Sequence, residues 1–234
     1  MTHLSHSVDL PASTRRDILS RHSTIAPIGD TSNLGGCLRA LGPVLNFAQN
    51  RDIYEEGDEA DIFYKVVSGV VRTCKFLGDG RRQIDAFHIA GDLFGLEMRR
   101  SHSLCAEAVS DCTVISYRRR GIEALAANDE VLSRQLFLYA MRNLARAQEH
   151  SLLLGRGSAV EKVAAFLIEV SEPMPDAKVI SLAMTRQDIG DYLGLTVETV
   201  SRTFSQLERE AFIELPSARQ IWVKDRDALR RLNA

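Results

Sequence analysis

Thr185-Arg-Gln-Asp-Ile-Gly-Asp-Tyr-Leu-Gly-Leu-Thr-Val-Glu-Thr-Val-Ser-Arg-Thr-Phe-Ser-Gln-Leu-Glu-Arg-Glu210 is the stretch on which the fold turns. Thr185 can cap a first helix, and Asp188 at its third position places a carboxylate at the positive end of the helix dipole. Ile189 and Leu193, four apart, give that helix a buried stripe. Gly194 stops it, Leu195 fills the angle of the turn, and Thr196 caps a second helix whose Val200, Phe204 and Leu207 face inward. Two capped helices joined by a tight glycine turn are predicted to form a helix-turn-helix.

The outer face of the second helix carries Glu198, Ser201 and Arg202 near its N-terminal end, the end that recognition helices present to the major groove. Arg202 can donate two bonds to guanine O6 and N7, and Glu198 can accept from the cytosine amine. Each good contact is worth ~1–3 kcal/mol of discrimination. An ordinary surface pair at this spacing would be worth only ~0.2–0.5 kcal/mol. Ser201 could touch a neighbouring thymine or adenine. Arg186, Gln187, Thr196 and Thr199 stand at helix starts, where side chains and backbone N–H groups commonly bind phosphate.

Working outward, Phe212-Ile-Glu-Leu215 and Gln220-Ile-Trp-Val-Lys224 flank Pro216-Ser-Ala-Arg219, a hairpin turn by composition, so the helix pair acquires a wing. A helix over 159–170, a turn through Pro173 and Pro175 and a short strand at Val179-Ile-Ser-Leu182 complete a DNA-binding domain at 156–234. Leu154-Gly155-Arg156-Gly157-Ser158 marks its boundary, a glycine stop and hinge with Ser158 as an N-cap and Glu161 three residues on. Upstream, Arg134, Leu138, Met141, Ala145, Gln148 and Leu152 follow steps of four and three through residues 125–155. That period predicts a long helix with a coiled-coil-like seam. The seam can pack on its own chain or on a second copy, and the polar Gln148 within it favours a homodimer held in register.

Residues 36–124 have another texture. Runs at 61–67, 69–77, 82–89, 104–109 and 112–117 alternate or are wholly apolar, with turns at Gly57-Asp58, Ser68-Gly69, Gly78-Asp79-Gly80 and Ala90-Gly91-Asp92. Short strands at this spacing predict an all-β barrel or jelly roll, with a plain β-sandwich as the competing reading. Residues 1–35 are polar and aperiodic and are expected to form an arm. The class is therefore α+β.

Composition sets the outer bounds. Across 234 residues, 45% are hydrophobic and 26% charged, which excludes collagen-like, disulfide-scaffold and wholly disordered chains. No apolar run of membrane-spanning length and no secretory signal are present, so a cytoplasmic protein is expected. Twenty-nine Lys and Arg against 31 Asp and Glu leave a net charge of -2, so nucleic-acid binding cannot be argued from bulk charge. Any phosphate attraction must come from local placement. Cys37, Cys74, Cys105 and Cys112 match no ligand-knuckle or disulfide spacing and are expected to be free thiols, with no metal site. No Ser/His/Asp set, phosphate loop or zinc-hydrolase motif points to an enzyme.

On Arg186-Gln-Asp-Ile-Gly-Asp-Tyr-Leu-Gly-Leu-Thr-Val-Glu-Thr-Val-Ser-Arg202, with Tyr54-Glu-Glu-Gly-Asp58 and Ala90-Gly-Asp-Leu-Phe-Gly95, the chain resembles the CRP/FNR family of bacterial transcription regulators, nearest its FixK-type subgroup. The resemblance runs from about residue 40 onward. It implies a β-roll related to cyclic-nucleotide-binding domains, a dimerisation helix, and a winged helix-turn-helix that binds palindromic promoter DNA and works with RNA polymerase. Val197, Glu198, Ser201 and Arg202 match the FNR and FixK branch, whose half-sites read TTGA. The catabolite-activator branch has Arg and Gly where this chain has Val197 and Ser201, and reads GTGA.

The family's ligand determinants are missing. Its cyclic-nucleotide pocket needs a Gly-Glu for the ribose and an Arg-Ser pair for the phosphate. Here Leu96 follows Gly95, Glu97 comes one place late, and Leu104-Cys105 stand at the Arg-Ser position. The base-contacting Thr-Ser pair of the dimer helix reads approximately Ala147-Gln148. The oxygen-sensing iron–sulfur branch needs three clustered N-terminal cysteines and one in the β-roll. This chain has only Cys37 in its N-terminal region, and the β-roll position falls near Ile115. The expectation is an activator of low-oxygen or denitrification-type respiratory genes without a cofactor. One alternative is a haem-based gas sensor using His88, His102 or His150. Another, of a different class, is a cyclic-nucleotide-binding allosteric module.

Overall fold

The computed structural model describes residues 42–171 and 179–232. The expected arm at 1–35, Cys37 and the turn through Pro173 and Pro175 lie outside the described residues. Eight strands make two four-stranded antiparallel sheets. β1 (Val44–Phe47), β8 (Cys112–Arg118), β3 (Ile62–Ser68) and β6 (Leu93–Phe94) lie side by side in the first; β2 (Asp52–Tyr54), β7 (Cys105–Ala108), β4 (Val71–Phe76) and β5 (Arg82–His88) form the second. Successive strands change sheet at every connection except the β4–β5 hairpin. That winding is a jelly-roll β-roll rather than a plain sandwich of hairpins.

Alternation along each strand sorts side chains to two faces. Val66, Val71, Phe94, Ala106, Ala108 and Val114 fill the space between the sheets, with Tyr54 and Tyr64 stacked at 5.8 Å. The outer face of the first sheet, through Phe63, Leu93, Ile115 and Tyr117, packs on two helices. The outer face of the second contributes Cys74, Ile84 and Cys105 to the hydrophobic core of the C-terminal domain. The two domains therefore share a core.

The helical region departs from the expected single run over 125–155. A short helix α1 (Arg119–Ala126) comes first, and α2 spans Glu130–Arg156. The cause is local: Asn128 Nδ2 donates to the Ala124 carbonyl at 2.9 Å, and the Asp129 carboxylate accepts from Leu132 N at 3.0 Å, capping the new helix. Gly155 does not stop α2, which continues one residue to Arg156 and is capped by Gly157. Leu132 and Tyr139, seven apart, face the β-roll. The Tyr139 hydroxyl donates to Leu93 O at 2.6 Å and accepts from Leu93 N at 2.8 Å. The opposite side leaves Phe137 60%, Met141 43%, Leu144 51% and Leu152 56% exposed.

Ser158 and Glu161 form the expected reciprocal cap of α3 (Ala159–Ser171), with Ser158 N to Glu161 Oε2 at 2.9 Å and Glu161 N to Ser158 Oγ at 3.3 Å. After β9 (Val179–Ser181) come α4 (Arg186–Leu193), α5 (Val197–Arg209), the hairpin β10 (Ile213–Ser217) and β11 (Gln220–Val223), and α6 (Arg226–Leu232). The three strands form one antiparallel sheet in the order β10-β11-β9. Phe166, Leu167, Ile189, Leu193, Phe204, Leu207, Ile213 and Ile221 are fully buried beneath it. Among the described residues no helix is long and apolar enough to cross a membrane.

Candidate nucleic-acid interface

The helix pair is built as its caps require. Thr185 Oγ1 accepts from Asp188 N at 3.1 Å, and Asp188 Oδ2 accepts from Thr185 N at 2.9 Å and from its hydroxyl at 2.7 Å. Gly194 ends α4 in the left-handed conformation at φ 64°, which costs glycine nothing. Gly190 lets the turn close, since a Cβ there would sit 2.6 Å from Leu195 O. Thr196 Oγ1 then accepts from Thr199 N at 3.2 Å to start α5. Val200, Thr203, Phe204 and Leu207 turn inward, as the period requires.

Glu198, Ser201 and Arg202 lie together on the exposed face of α5. Arg202 Nε rests 3.4 Å from the Glu198 backbone carbonyl, a weak contact that leaves most of the guanidinium's donors available. Backbone and Thr196 hydrogen bonds, with the Arg202 charge, hold the Glu198 carboxyl below its ordinary range. It is therefore an ionised acceptor. One acidic and one fivefold-donor group, a helical turn apart at a helix start, can read the two halves of a G·C pair.

The expected phosphate contacts are disposed unequally. Thr196 is exposed and Thr199 half-buried, their hydroxyls 3.1 Å apart at the start of α5. Gln187 is exposed and its amide donates to Asp191 Oδ1 at 2.6 Å. Arg186 departs from expectation. Its guanidinium lies over the Phe204 ring, 3.5 Å from the centroid, with Nη1 buried and unpaired and the charge disfavoured by burial. The aromatic face lies beneath the first turn of α4 and draws the cation inward.

One basic group that sequence reasoning passed over is Arg219, exposed in the two-residue turn of the wing, where Ser217 Oγ accepts from Arg219 N and Gln220 N. Its signal was a cation inside a predicted hairpin turn. Also missed was the clamp that positions α4. Arg72 Nη1 and Arg82 Nη2 donate to Asp188 Oδ1 at 3.0 and 2.6 Å, and Arg82 reaches Asp191 Oδ2 at 2.8 Å. Burial alone would raise the Asp188 carboxyl; the Thr185 hydrogen bonds and the two arginines hold it below the usual carboxylate range instead. A cleft of about 650 Å³ runs from the β4–β5 turn at Leu77 and Arg81 to Thr196 and Glu198.

A second cavity, about 450 Å³, lies between β5, α2 and α4. His88 and His150 line it; His102 instead stacks on Tyr54 at 3.7 Å. His150 stacks on Tyr192 at 4.1 Å with both ring nitrogens buried. Burial pushes His88 down to about 4. Asp85, Asp92 and Glu169 share the lining with Arg146, itself 3.8 Å from Asp92. Three carboxylates thus face one arginine and two histidines across this cavity.

Two family models match: a cyclic nucleotide-binding domain over residues 44–129 and a Crp-like helix-turn-helix domain over residues 161–232. The chain is 46% identical over 200 residues to the nitrogen fixation regulation protein FixK of Azorhizobium caulinodans, covering 83% of this chain and 81% of that one. It is 42% identical over 189 residues to the protein of the same name in Rhizobium meliloti, covering 81% and 86%. The structure of FixK2 from Bradyrhizobium japonicum superposes with a TM-score of 0.79 at 44% identity, covering 83% of this chain and 98% of that one.

Proposed function

This chain belongs to the FixK-type branch of the CRP/FNR family of DNA-binding transcription regulators, and we propose that it activates low-oxygen, denitrification-type respiratory genes as a homodimer on TTGA-type palindromes. The observation that carries the proposal is the exposed Glu198, Ser201, Arg202 face on a capped recognition helix. Glu198 and Arg202 read a G·C pair, Ser201 its neighbour, and Val197 stands where the GTGA readers carry arginine. Thr196 and Thr199, Gln187 and the wing-tip Arg219 supply phosphate contacts; Arg186 joins them only by leaving the Phe204 ring.

The homodimer reading is supported by the apolar stripe on α2. Phe137, Met141, Leu144 and Leu152, with Gln148 between them, repeat on one side of a 27-residue helix. Covering such side chains is worth roughly 1.5–3 kcal/mol each when burial is complete. Two recognition helices then meet two half-sites, and avidity compensates for a surface that is not basic overall. The three carboxylates of that cavity and the cysteine positions support control by abundance or by RNA polymerase and other partners rather than by a cyclic nucleotide or an iron–sulfur cluster.

A mobility-shift comparison of TTGA and GTGA palindromes tests the specificity. Preference for TTGA is expected, and equal affinity for both would refute it. A second reading, haem in the β-roll, has one observation in its favour: His150 and His88 both line the α2 cavity. A stoichiometric Soret band after haem reconstitution would favour that reading.

A further inference from the structure

Cys74 and Cys105 are 31 residues apart in sequence and directly opposed in the β4–β7 ladder. Their Sγ atoms are 3.3 Å apart, and Cys105 Sγ also donates to Cys74 O at 3.0 Å. Two places along β7, on the same face, stands Glu107. Cys74 Sγ, Cys105 Sγ and a Glu107 carboxylate oxygen all lie within 4.8 Å of one another. Two sulfurs on a tetrahedral cation at about 2.3 Å would be about 3.8 Å apart, so the thiols need only a small outward shift. A thiol pair with one carboxylate is a donor set that soft and borderline divalent cations prefer to magnesium or calcium.

We propose that Cys74, Cys105 and Glu107 form a binding site for a thiolate-preferring divalent cation of the zinc class. The cation displaces one proton from each thiol, both released to bulk water, and leaves a fourth tetrahedral position for water. Two thiolates and a carboxylate then face the cation and the guanidinium groups of Arg72 and Arg82, which also pair with Asp188 and Asp191. Burial raises both thiols, so neither is a ready thiolate without a metal to displace its proton.

The site lies against the DNA-binding domain. Glu107 Oε2 accepts from Arg72 Nε at 2.6 Å and pairs with its Nη2 at 2.5 Å, while Nη1 of the same arginine holds Asp188 of α4. A cation that takes the Glu107 carboxylate loosens that pair and leaves Arg72 to Asp188. Occupancy is thereby transmitted to the helix that sets the recognition helix. This consequence rests on the DNA-binding reading; the site itself does not.

The test is titration of the reduced full-length chain with cobalt(II), under anaerobic conditions with a phosphine reductant. A sulfur-to-cobalt charge-transfer band in the near ultraviolet is expected, saturating at one equivalent and bleached by zinc. It should fall to half its intensity in Cys105→Ser, vanish in Cys74→Ser/Cys105→Ser, and persist unchanged in Cys112→Ser. Absence of the band from the unaltered chain, or its survival in the double variant, would overturn the proposal. Circular dichroism reports folding, and should the double variant unfold, the halving in Cys105→Ser decides alone. DNA affinity is not the readout, so failure here leaves the recognition-helix reading standing.

Discussion

Arg202 combines exposure with donors left free by its neighbours, so its removal tests base reading with little confounding loss of stability. Arg202→Ala is expected to weaken the cognate palindrome by ~1–3 kcal/mol per half-site and to erase discrimination at the G·C pair, measured by competition with single-base variants. Lysine should not restore it, because a point charge cannot match two acceptors at once. Asp188 is the opposite kind of residue, buried and answerable to Thr185, Arg72 and Arg82 together. Removing one partner from a buried ionic group costs roughly 3–5 kcal/mol, less whatever hydrogen bonding asparagine retains. Its depressed folded value fixes the sign with pH. The contribution is complete above the ordinary aspartate range near ~4 and is lost as pH falls through the lower folded value. Urea unfolding should therefore show Asp188→Asn less stable at pH 7, with a flatter decline below about pH 5 than the unaltered chain. The cap at Thr185 was legible because its partner is three residues away. The arginines that grip the same carboxylate, 106 and 116 residues away, were not.

Among the elements, α2 shows where periodicity becomes ambiguous. From Leu136 to Met141 every side chain is aliphatic, aromatic or a thioether, so steps of four and three can be laid through more than one register. The sequence rule chose Leu138 and Ala145, which are half-buried. The exposed stripe includes Phe137 and Leu144 instead, while Met141, Gln148 and Leu152 belong to both readings. Tyr139 commits one face of the helix to Leu93, and the exposed face is offset by one residue from the seam read in the sequence. Met141→Asp should convert the dimer to a monomer in sedimentation equilibrium and cut palindrome affinity far more than half-site affinity. In the β-roll the longer runs were legible by alternation; β1, β2 and β6 were too short to show it. The wing was legible as a hairpin, but the exposed position of Arg219 at its tip was not. Arg219→Gln should weaken DNA binding uniformly across sequences and lower the salt dependence by about one phosphate equivalent.

Across the whole molecule, the chain boundary at Gly157 is not a boundary of the core. Cys74, Ile84 and Cys105 from the second β-sheet belong to the same buried cluster as Phe166, Ile189, Leu193 and Phe204. Arg82 and Arg72 add charged bonds across the same junction. Calorimetry of the full chain should accordingly give one cooperative transition, and Arg82→Gln should broaden or split it by weakening the junction without touching either hydrophobic interior. Composition could not foretell this, since residues 156–234 carry 11 basic and 12 acidic side chains and look self-contained. The shared core also limits exchange. A C-terminal segment taken from another regulator would have to bring acidic groups at the Asp188 and Asp191 positions and an apolar surface fitted to Ile84. Without them it would strand two arginines in a largely buried junction, so the portable unit for building chimaeras is the DNA-binding domain together with the sheet face that it covers.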